Sequence, residues 1–170
     1  VTQIQGYNVK LLDTRKTIPG LRALEKYAVK IGGGFNHRFC LDDMVLIKEN
    51  HLKLIDLIKT KEVIKRLKKR LPRGMKIEIE VKSLEELRQV IEIEPDIIML
   101  DNMTPRQVKM AVKLRNYLSK IYHPAKLEAS GNINMRNIRF YAQSGVDFIS
   151  LGTLTKDIKS LDVSLEIVDN

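Results

Sequence analysis

Side chains able to do chemistry gather where short apolar runs end in this sequence of 170 residues. Thr14-Arg15-Lys16-Thr17 precedes Pro19-Gly20. Two adjacent cations suit an anion, and an Arg can hold a carboxylate or phosphate through two parallel hydrogen bonds. An ordinary polar loop reads equally well from these residues alone. Gly32-Gly33-Gly34-Phe35-Asn36-His37-Arg38 combines a backbone able to approach a ligand with two further donors, His37 and Arg38. It is not a Walker loop, because no Gly-Lys-Ser/Thr follows. Lys48 closes the apolar run Met44–Ile47, so it either reaches a cavity or snorkels to solvent. Glu80 and Asp101 end successive runs, and their carboxylates are expected at one mouth. Such a pair can hold Mg2+ or accept from sugar hydroxyls, with ion pairing to nearby cations as the structural alternative. Ser130-Gly131-Asn132 and Leu151-Gly152-Thr153 are each expected to lead into a helix whose free N–H groups cradle a phosphate. His37, His51 and His123 lack metal-ligand spacing, and Cys40 is the lone cysteine, which excludes a zinc site. No nucleophile elbow is present.

These residues need elements to carry them. Six β-rich runs, Val9–Thr14, Met44–Glu49, Ile77–Val81, Asp96–Asp101, Lys126–Ser130 and Val146–Leu151, are nearly all apolar, as strands covered on both faces should be. Between them, apolar residues recur three or four apart: Leu21, Leu24, Ala28, Ile31; Leu84, Leu87, Val90 or Ile91; Val108, Ala111, Val112; Met135, Ile138, Tyr141. Alternating strand and helix predicts a parallel α/β sheet or barrel, and polar residues crowd the carboxyl ends of the strands, where such barrels build their sites. Six units fall short of the usual eight, and a full barrel takes about 250 residues. The expectation is therefore an incomplete, open, TIM-barrel-like α/β barrel over residues 1–170, as one unit completed by other sequence.

Thirty basic and 21 acidic residues leave a net charge of +9, with 44% apolar and 30% charged residues, a globular composition. Lys59–Lys76 holds nine Lys or Arg in eighteen residues, with Ile64, Leu67 and Leu71 at helical spacing. That is either a solvated helix face or a nucleic-acid surface, and it lacks the interleaved aromatics that stack bases. No run of 18 apolar residues spans a membrane, and no secretory leader is evident at the start. One cysteine makes a reducing, cytoplasmic setting the default.

In order, DTRKTIPGLRALEKYAVKIGGGFNHR, LDDMVLIKENH, EIEVKSLEEL, DIIMLDNM, LEASGNIN and YAQSGVDFISLGTLT resemble the quinolinate phosphoribosyltransferases. The resemblance runs from Asp13 to Leu161 and is to the carboxy-terminal domain of that family, an incomplete α/β barrel. The family's separate amino-terminal domain is expected to be absent from this chain. The resemblance implies transfer of phosphoribose from phosphoribosyl pyrophosphate to quinolinate, giving nicotinate mononucleotide, pyrophosphate and CO2 in NAD biosynthesis. It places Arg15, His37, Arg38 and Lys48 around the pyridine dicarboxylate. Lys16, Glu80 and Asp101 would meet phosphoribosyl pyrophosphate and its Mg2+, with Thr14 in the same loop, and Glu80, Asp101 and Lys48 are the catalytic candidates. Ser130, Gly131, Asn132, Leu151, Gly152 and Thr153 would take the sugar phosphate. A homo-oligomer is implied, the amino-terminal domain of a partner closing each site and lending it an arginine.

Two departures stand out. The family's second glycine in SGG is Asn132 here, and its THS after GxL is Thr155-Lys156-Asp157. Asn tolerates left-handed backbone angles, and Lys156 offers a point charge where the family has His. A related group of the same fold, tied to molybdenum transport operons, is the alternative with another substrate. A basic nucleic-acid-binding domain is the alternative from a different class.

Overall fold

The structure, a computed structural model, describes residues 4–52, 57–158 and 162–167. Six strands form one sheet: β1 (Lys10–Leu12), β2 (Met44–Ile47), β3 (Lys76–Val81), β4 (Ile97–Asp101), β5 (Lys126–Ser130) and β6 (Phe148–Ser150). All pairs are parallel and the order is β1-β6-β5-β4-β3-β2. Neighbours in sequence are neighbours in space from β2 to β6, and β1 then joins β6. A closed barrel would also pair β1 with β2, and no such ladder forms among the described residues. The barrel is open, as the count of six units anticipates. The free edge of β1 is partly occupied by Phe35, which donates its N–H to the Leu11 carbonyl and accepts from the Asp13 N–H. The glycine-rich stretch thus returns along β1 and brings His37 and Arg38 to the same end as the strand termini.

The strands alternate more than the all-apolar expectation allows. Ile77, Ile79 and Val81 of β3 are wholly buried in the core with Leu87, Val108, Ala111 and Ile138 of the surrounding helices. The intervening Glu78 and Glu80 lie on the other face, where Glu80 meets Leu46, Met99, Asp101, Glu128 and Ser130 around a cavity. Period-two alternation places i and i+2 on one face, so one face of the sheet is apolar and the inner face is largely polar.

Six helices connect the strands: α1 (Arg22–Ile31), α2 (Glu49–Leu52), α3 (Leu57–Arg70), α4 (Leu84–Ile91), α5 (Pro105–Leu118) and α6 (Ile138–Ala142). Local chemistry starts two of them. Ser83 accepts from the Glu86 N–H ahead of α4, and Thr104 with Gln107 forms a capping box ahead of α5, with Pro105 in the first turn. In α3 Ile64 is buried and Leu67 partly so, while Lys61, Lys65, Arg66, Lys68, Lys69 and Arg70 point outward. That is the pattern of a solvated helix face.

Helix α1 departs from the periodicity reading. Its supposed core face is exposed, with Leu24 at 66% and Ile31 at 70%, whereas Glu25 and Lys26 are buried. Specific polar contacts explain the rotation. Lys26 Nζ donates to Asp13 and to the His37 carbonyl, and Glu25 accepts from the Ile18 N–H. Met135 is also exposed, since α6 begins only at Ile138. Leu161, at the end of the family-like stretch, lies outside the described residues.

Candidate active site

Asp13 organises one wall of the mouth. Its wholly buried carboxylate accepts from Lys26 Nζ, from the Asn36 amide and, at 2.8 Å, from the His37 N–H. A buried carboxylate with a cation and two further donors is compensated for its lost hydration. The consequence is geometric, because residues 36–38 are fastened to the end of β1. Asp13 is a fastener, then, while the three residues after it face the opening.

The cavity at the carboxyl ends has a volume of about 370 Å³. Arg15, Lys16, Arg38 and Lys48 line it, together with Thr14, His37, Glu80, Asp101, Glu128, Ser130 and Ser150. Arg38 is steadied by donation to the Met44 carbonyl at 3.1 Å. Burial lowers the pKa of Arg38, and the charge of Arg15 lowers it further. Two guanidinium groups that repel each other in a partly dry site favour an anion between them. Arg15 Nε is itself buried and has no hydrogen-bond partner in the structure. Lys48 Nζ stands 4.0 Å from Glu80 Oε2, a loose pair in which the Lys side chain is 56% exposed and the Glu 13%. The ion-pair alternative for Glu80 therefore has some footing, but at that distance the Lys remains able to turn to a ligand.

His37 is placed differently from a simple ligand donor. Its Nε2 lies 3.1 Å from Glu78 Oε2 and 3.4 Å from Glu128 Oε2, both acids being wholly buried. Its Nδ1 accepts the Arg38 N–H at 2.9 Å, so in the neutral ring the proton sits on Nε2 between the carboxylates. Burial alone would lower the pKa of His37. Hydrogen bonds and charge from Glu128 and Glu78 outweigh it and push the value up to about 10, although the Arg38 N–H works against a second proton. Burial, together with the Glu128 charge, pushes Glu78 up to about 7 against the pull of His37 and Arg38. The trio has the residue types of a metal site. Its Nδ1 is nevertheless an acceptor, whereas a ligating His donates its other N–H, so the geometry is that of a proton-sharing cluster.

A second cavity of about 400 Å³ adjoins the first and shares Thr14, Lys16, Asp101, Ser130 and Ser150 with it. Asn102, Gly131, Asn132, Gly152, Thr153 and Lys156 are also in its walls. Gly131 has φ 89° and Asn132 φ 53°, so left-handed backbone turns the loop after β5, and Asn132 adopts it as expected. The helix expected straight after this loop is not there, because turns fill residues 131–137 before α6. After β6 a single 3-10 turn does start, at Gly152–Leu154. Leu151 is a core residue whose N–H donates to the Leu12 carbonyl, so neither its side chain nor its N–H faces a ligand. The loops are tied together where Thr155 Oγ1 donates to the Lys16 carbonyl at 2.7 Å.

The structure thus brings together Thr14, Arg15, Lys16, His37, Arg38, Lys48, Glu80, Asp101, Ser130, Gly131, Asn132, Gly152 and Thr153, and leaves Leu151 aside. Sequence reasoning counted Glu128, Glu78 and Ser150 among the polar residues of the strand ends but gave them no role. The signal for the acids was present in the alternation of Ile77-Glu78-Ile79-Glu80 and Leu127-Glu128-Ala129. Glu80 and Asp101 suit an Mg2+ ion that arrives with phosphates, since such ions are commonly bound through one or two carboxylates.

Fold and site together define an open parallel α/β barrel with a mouth of cations set against acids. The chain belongs to the family described as "Quinolinate phosphoribosyl transferase, C-terminal domain", whose sequence profile matches residues 1–166. It is 48% identical over 162 residues to a probable nicotinate-nucleotide pyrophosphorylase [carboxylating] of Methanocaldococcus jannaschii, covering 95% of this chain and 56% of that protein. It is 39% identical to the nicotinate-nucleotide pyrophosphorylase [carboxylating] of Mycobacterium leprae, covering 98% and 57%. The solved nicotinate-nucleotide pyrophosphorylase of Francisella tularensis superposes with a TM-score of 0.81 at 45% identity, over 96% of this chain and 55% of that one. The chain spans a little over half the length of the curated relatives it matches. A thiamine phosphate pyrophosphorylase of Pyrococcus furiosus, with TM-score 0.52 and 16% identity over 87% of this chain and 86% of that one, shares the fold alone.

Proposed function

We propose that this domain carries the reacting centre for transfer of phosphoribose from phosphoribosyl pyrophosphate to quinolinate, with loss of CO2. The observation that carries the reading is one cavity lined by Arg15, Arg38 and Lys48 together with Glu80 and Asp101. Two pyridine carboxylates need several cations, and a ribose carbon developing positive charge needs acids. Few other substrate pairs require both at one mouth.

In this reading Arg15, Arg38 and Lys48 hold the dicarboxylate and aim its ring nitrogen at ribose C1, which converts binding into proximity. The C1–O bond breaks and its electron pair leaves with pyrophosphate, while the nitrogen lone pair forms the new N–C1 bond. Glu80 and Asp101 stabilise the oxocarbenium-like charge between those events. Lys16, Ser130, Gly131, Gly152 and Thr153 hold the phosphates, and the Mg2+ that accompanies phosphoribosyl pyrophosphate offsets their charge. The ring nitrogen is then positive. The bond from the adjacent carbon to its carboxylate breaks, CO2 departs, the pair stays on the ring carbon, and a proton replaces CO2. Nicotinate mononucleotide results, and no protein nucleophile is needed.

The reading extends to assembly and setting. The mouth is open beside β1 and β2, and Ile18, Leu24, Tyr27, Phe39 and Leu41 are exposed nearby in sequence. An amino-terminal domain from a partner copy would close the site and cover such surface. Among the described residues no helix is long and apolar enough to cross a membrane. We place the enzyme in the cytoplasm, where a free Cys40 is stable. Calorimetry with quinolinate, with and without phosphoribosyl pyrophosphate and Mg2+, tests the reading. Binding of phosphoribosyl pyrophosphate without quinolinate would transfer the proposal to a related phosphoribosyltransferase with another acceptor.

A further inference from the structure

A chain of amides runs along the phosphate side of the mouth. Asn132 Nδ2 donates to Asn102 Oδ1 at 3.0 Å, and Asn102 Nδ2 donates to Asp101 Oδ2 at 2.9 Å. Asn137 Nδ2 donates to the Asn132 carbonyl at 3.1 Å and steadies the far end. The polarity of the chain is forced. An ionised carboxylate only accepts, so Asn102 must turn its NH2 to Asp101. Its oxygen is then left for Asn132, which must present an NH2 in turn.

The backbone holds these amides in register. Asn102 and Asn132 both sit in the left-handed region, at φ 56° and 53°. Between their loops the Asn102 N–H donates to the Ser130 carbonyl at 2.8 Å. Gly131 packs so tightly there that a Cβ on it would lie 2.3 Å from Asn102 Oδ1. The two loops that carry these amides are thereby held against each other.

We propose that Asn132 is a positioning residue, which acts through Asn102 to fix the Asp101 carboxylate and so couples the sugar-phosphate loop to the acid facing the ribose. The inference rests on the phosphoribosyl pyrophosphate site of the preceding section. Where the family pattern has glycine at this position, the link has no side chain to make it. Asp101, Asn102 and Asn132 line one cavity. A ligand filling that cavity displaces water and strengthens each contact in the chain.

Two substitutions separate the relay from simple repulsion. Asn132→Asp keeps shape and backbone preference but offers only acceptors, so Asn102 must rotate and turn its own oxygen on Asp101. It also repels phosphate directly, which requires no Asn102. Asn102→Gly suits φ 56° and deletes the relay. Calorimetry with Mg2+ and phosphoribosyl pyrophosphate should show Asn132→Asp weakening binding about 30-fold with Asn102 present and about threefold in the Asn102→Gly background, since groups sharing a network are not additive. Asn132→Gly should cost less than Asn132→Asp. Equal costs in the two backgrounds overturn the relay.

A second readout uses no ligand. The side-chain 15N–1H signals of Asn102 should move in Asn132→Asp and in Asp101→Asn, because both change what the amide faces. Signals that stay in place in both variants also overturn it. If the wild-type chain does not bind phosphoribosyl pyrophosphate at all, the functional reading fails, and the Asn102 spectrum still decides the relay.

Discussion

Replacing Asp13 by Ala should destabilise the fold more than any substitution at the rim of the mouth. The Lys26 and Asp13 side chains are 3% and 0% exposed, so removing the carboxylate strands a buried ammonium. Breaking such a pair costs about 3–5 kcal/mol. Lys26 keeps one contact, to the His37 carbonyl at 3.0 Å, which places the loss toward the lower bound. The freed His37 N–H pushes it back up, as an unmet donor away from water costs about 1–3 kcal/mol, while the Asn36 amide keeps its bond to the Lys26 carbonyl. A loss of at least about 3 kcal/mol takes a large part of a stability that is typically 5–15 kcal/mol. Urea denaturation should therefore show a midpoint lower by about 1–3 M, given slopes of about 1–3 kcal/mol/M. Adding Lys26→Met to Asp13→Ala removes the stranded charge and should recover more than half of the loss. A cost below about 1 kcal/mol for Asp13→Ala, or a double variant no better than the single one, refutes the buried pair as the fastener of residues 36–38.

Four further outcomes follow from the site. Arg38→Ala should weaken quinolinate far more than phosphoribosyl pyrophosphate in calorimetry, and equal losses with folding intact would remove Arg38 from the carboxylate pocket. Glu80→Gln and Asp101→Asn should each slow single-turnover chemistry on the order of 100-fold, the usual effect of deleting one electrostatic stabiliser, and unchanged rates would end that role. His37, raised from 6.5 to about 10, stabilises the fold fully below pH 6.5 and loses that contribution as pH climbs through 10, while Glu78, raised from 4.5 to about 7, loses its own between pH 4.5 and 7. Glu128→Gln should flatten this downward slope and lower the His37 pKa by about 1–3 units in NMR titration, so an unmoved His37 contradicts the cluster. Finally, the chain alone should turn over poorly and gain activity with a separately supplied amino-terminal domain, because an open mouth leaves water competing for every charged contact. Equal activity without that domain would show the site to be complete in these 170 residues.

Much of the fold was legible because parallel strands and their helices leave a local record. The runs ending at Asp101 and Ser130 match β4 and β5 to within a residue. What stayed hidden depends on contacts distant in sequence. The rotation of α1 follows from Lys26 reaching Asp13, thirteen residues away, and apolar spacing alone would turn Leu24 inward. The pairing of β1 with β6 also leaves no trace in either segment. Glu78 and Glu128 stand out in the sequence only as polar residues within the strand runs. Their burial depends on His37 coming between them from a loop more than forty residues before Glu78. The loops after β5 and β6 stand out in the sequence by their place at strand ends, but the contact between Asn132 and Asn102 requires knowing that β4 and β5 end side by side.

The most direct test is a titration of this chain with quinolinate in the presence and absence of Mg2+ and phosphoribosyl pyrophosphate, followed by calorimetry. One-to-one binding of quinolinate, lost in Arg38→Ala and strengthened when the second ligand fills the adjoining cavity, is what the geometry predicts. No heat from quinolinate under either condition, in a folded chain supplied with the separate amino-terminal domain, would contradict the assignment of Arg15, Arg38 and Lys48 to a pyridine dicarboxylate.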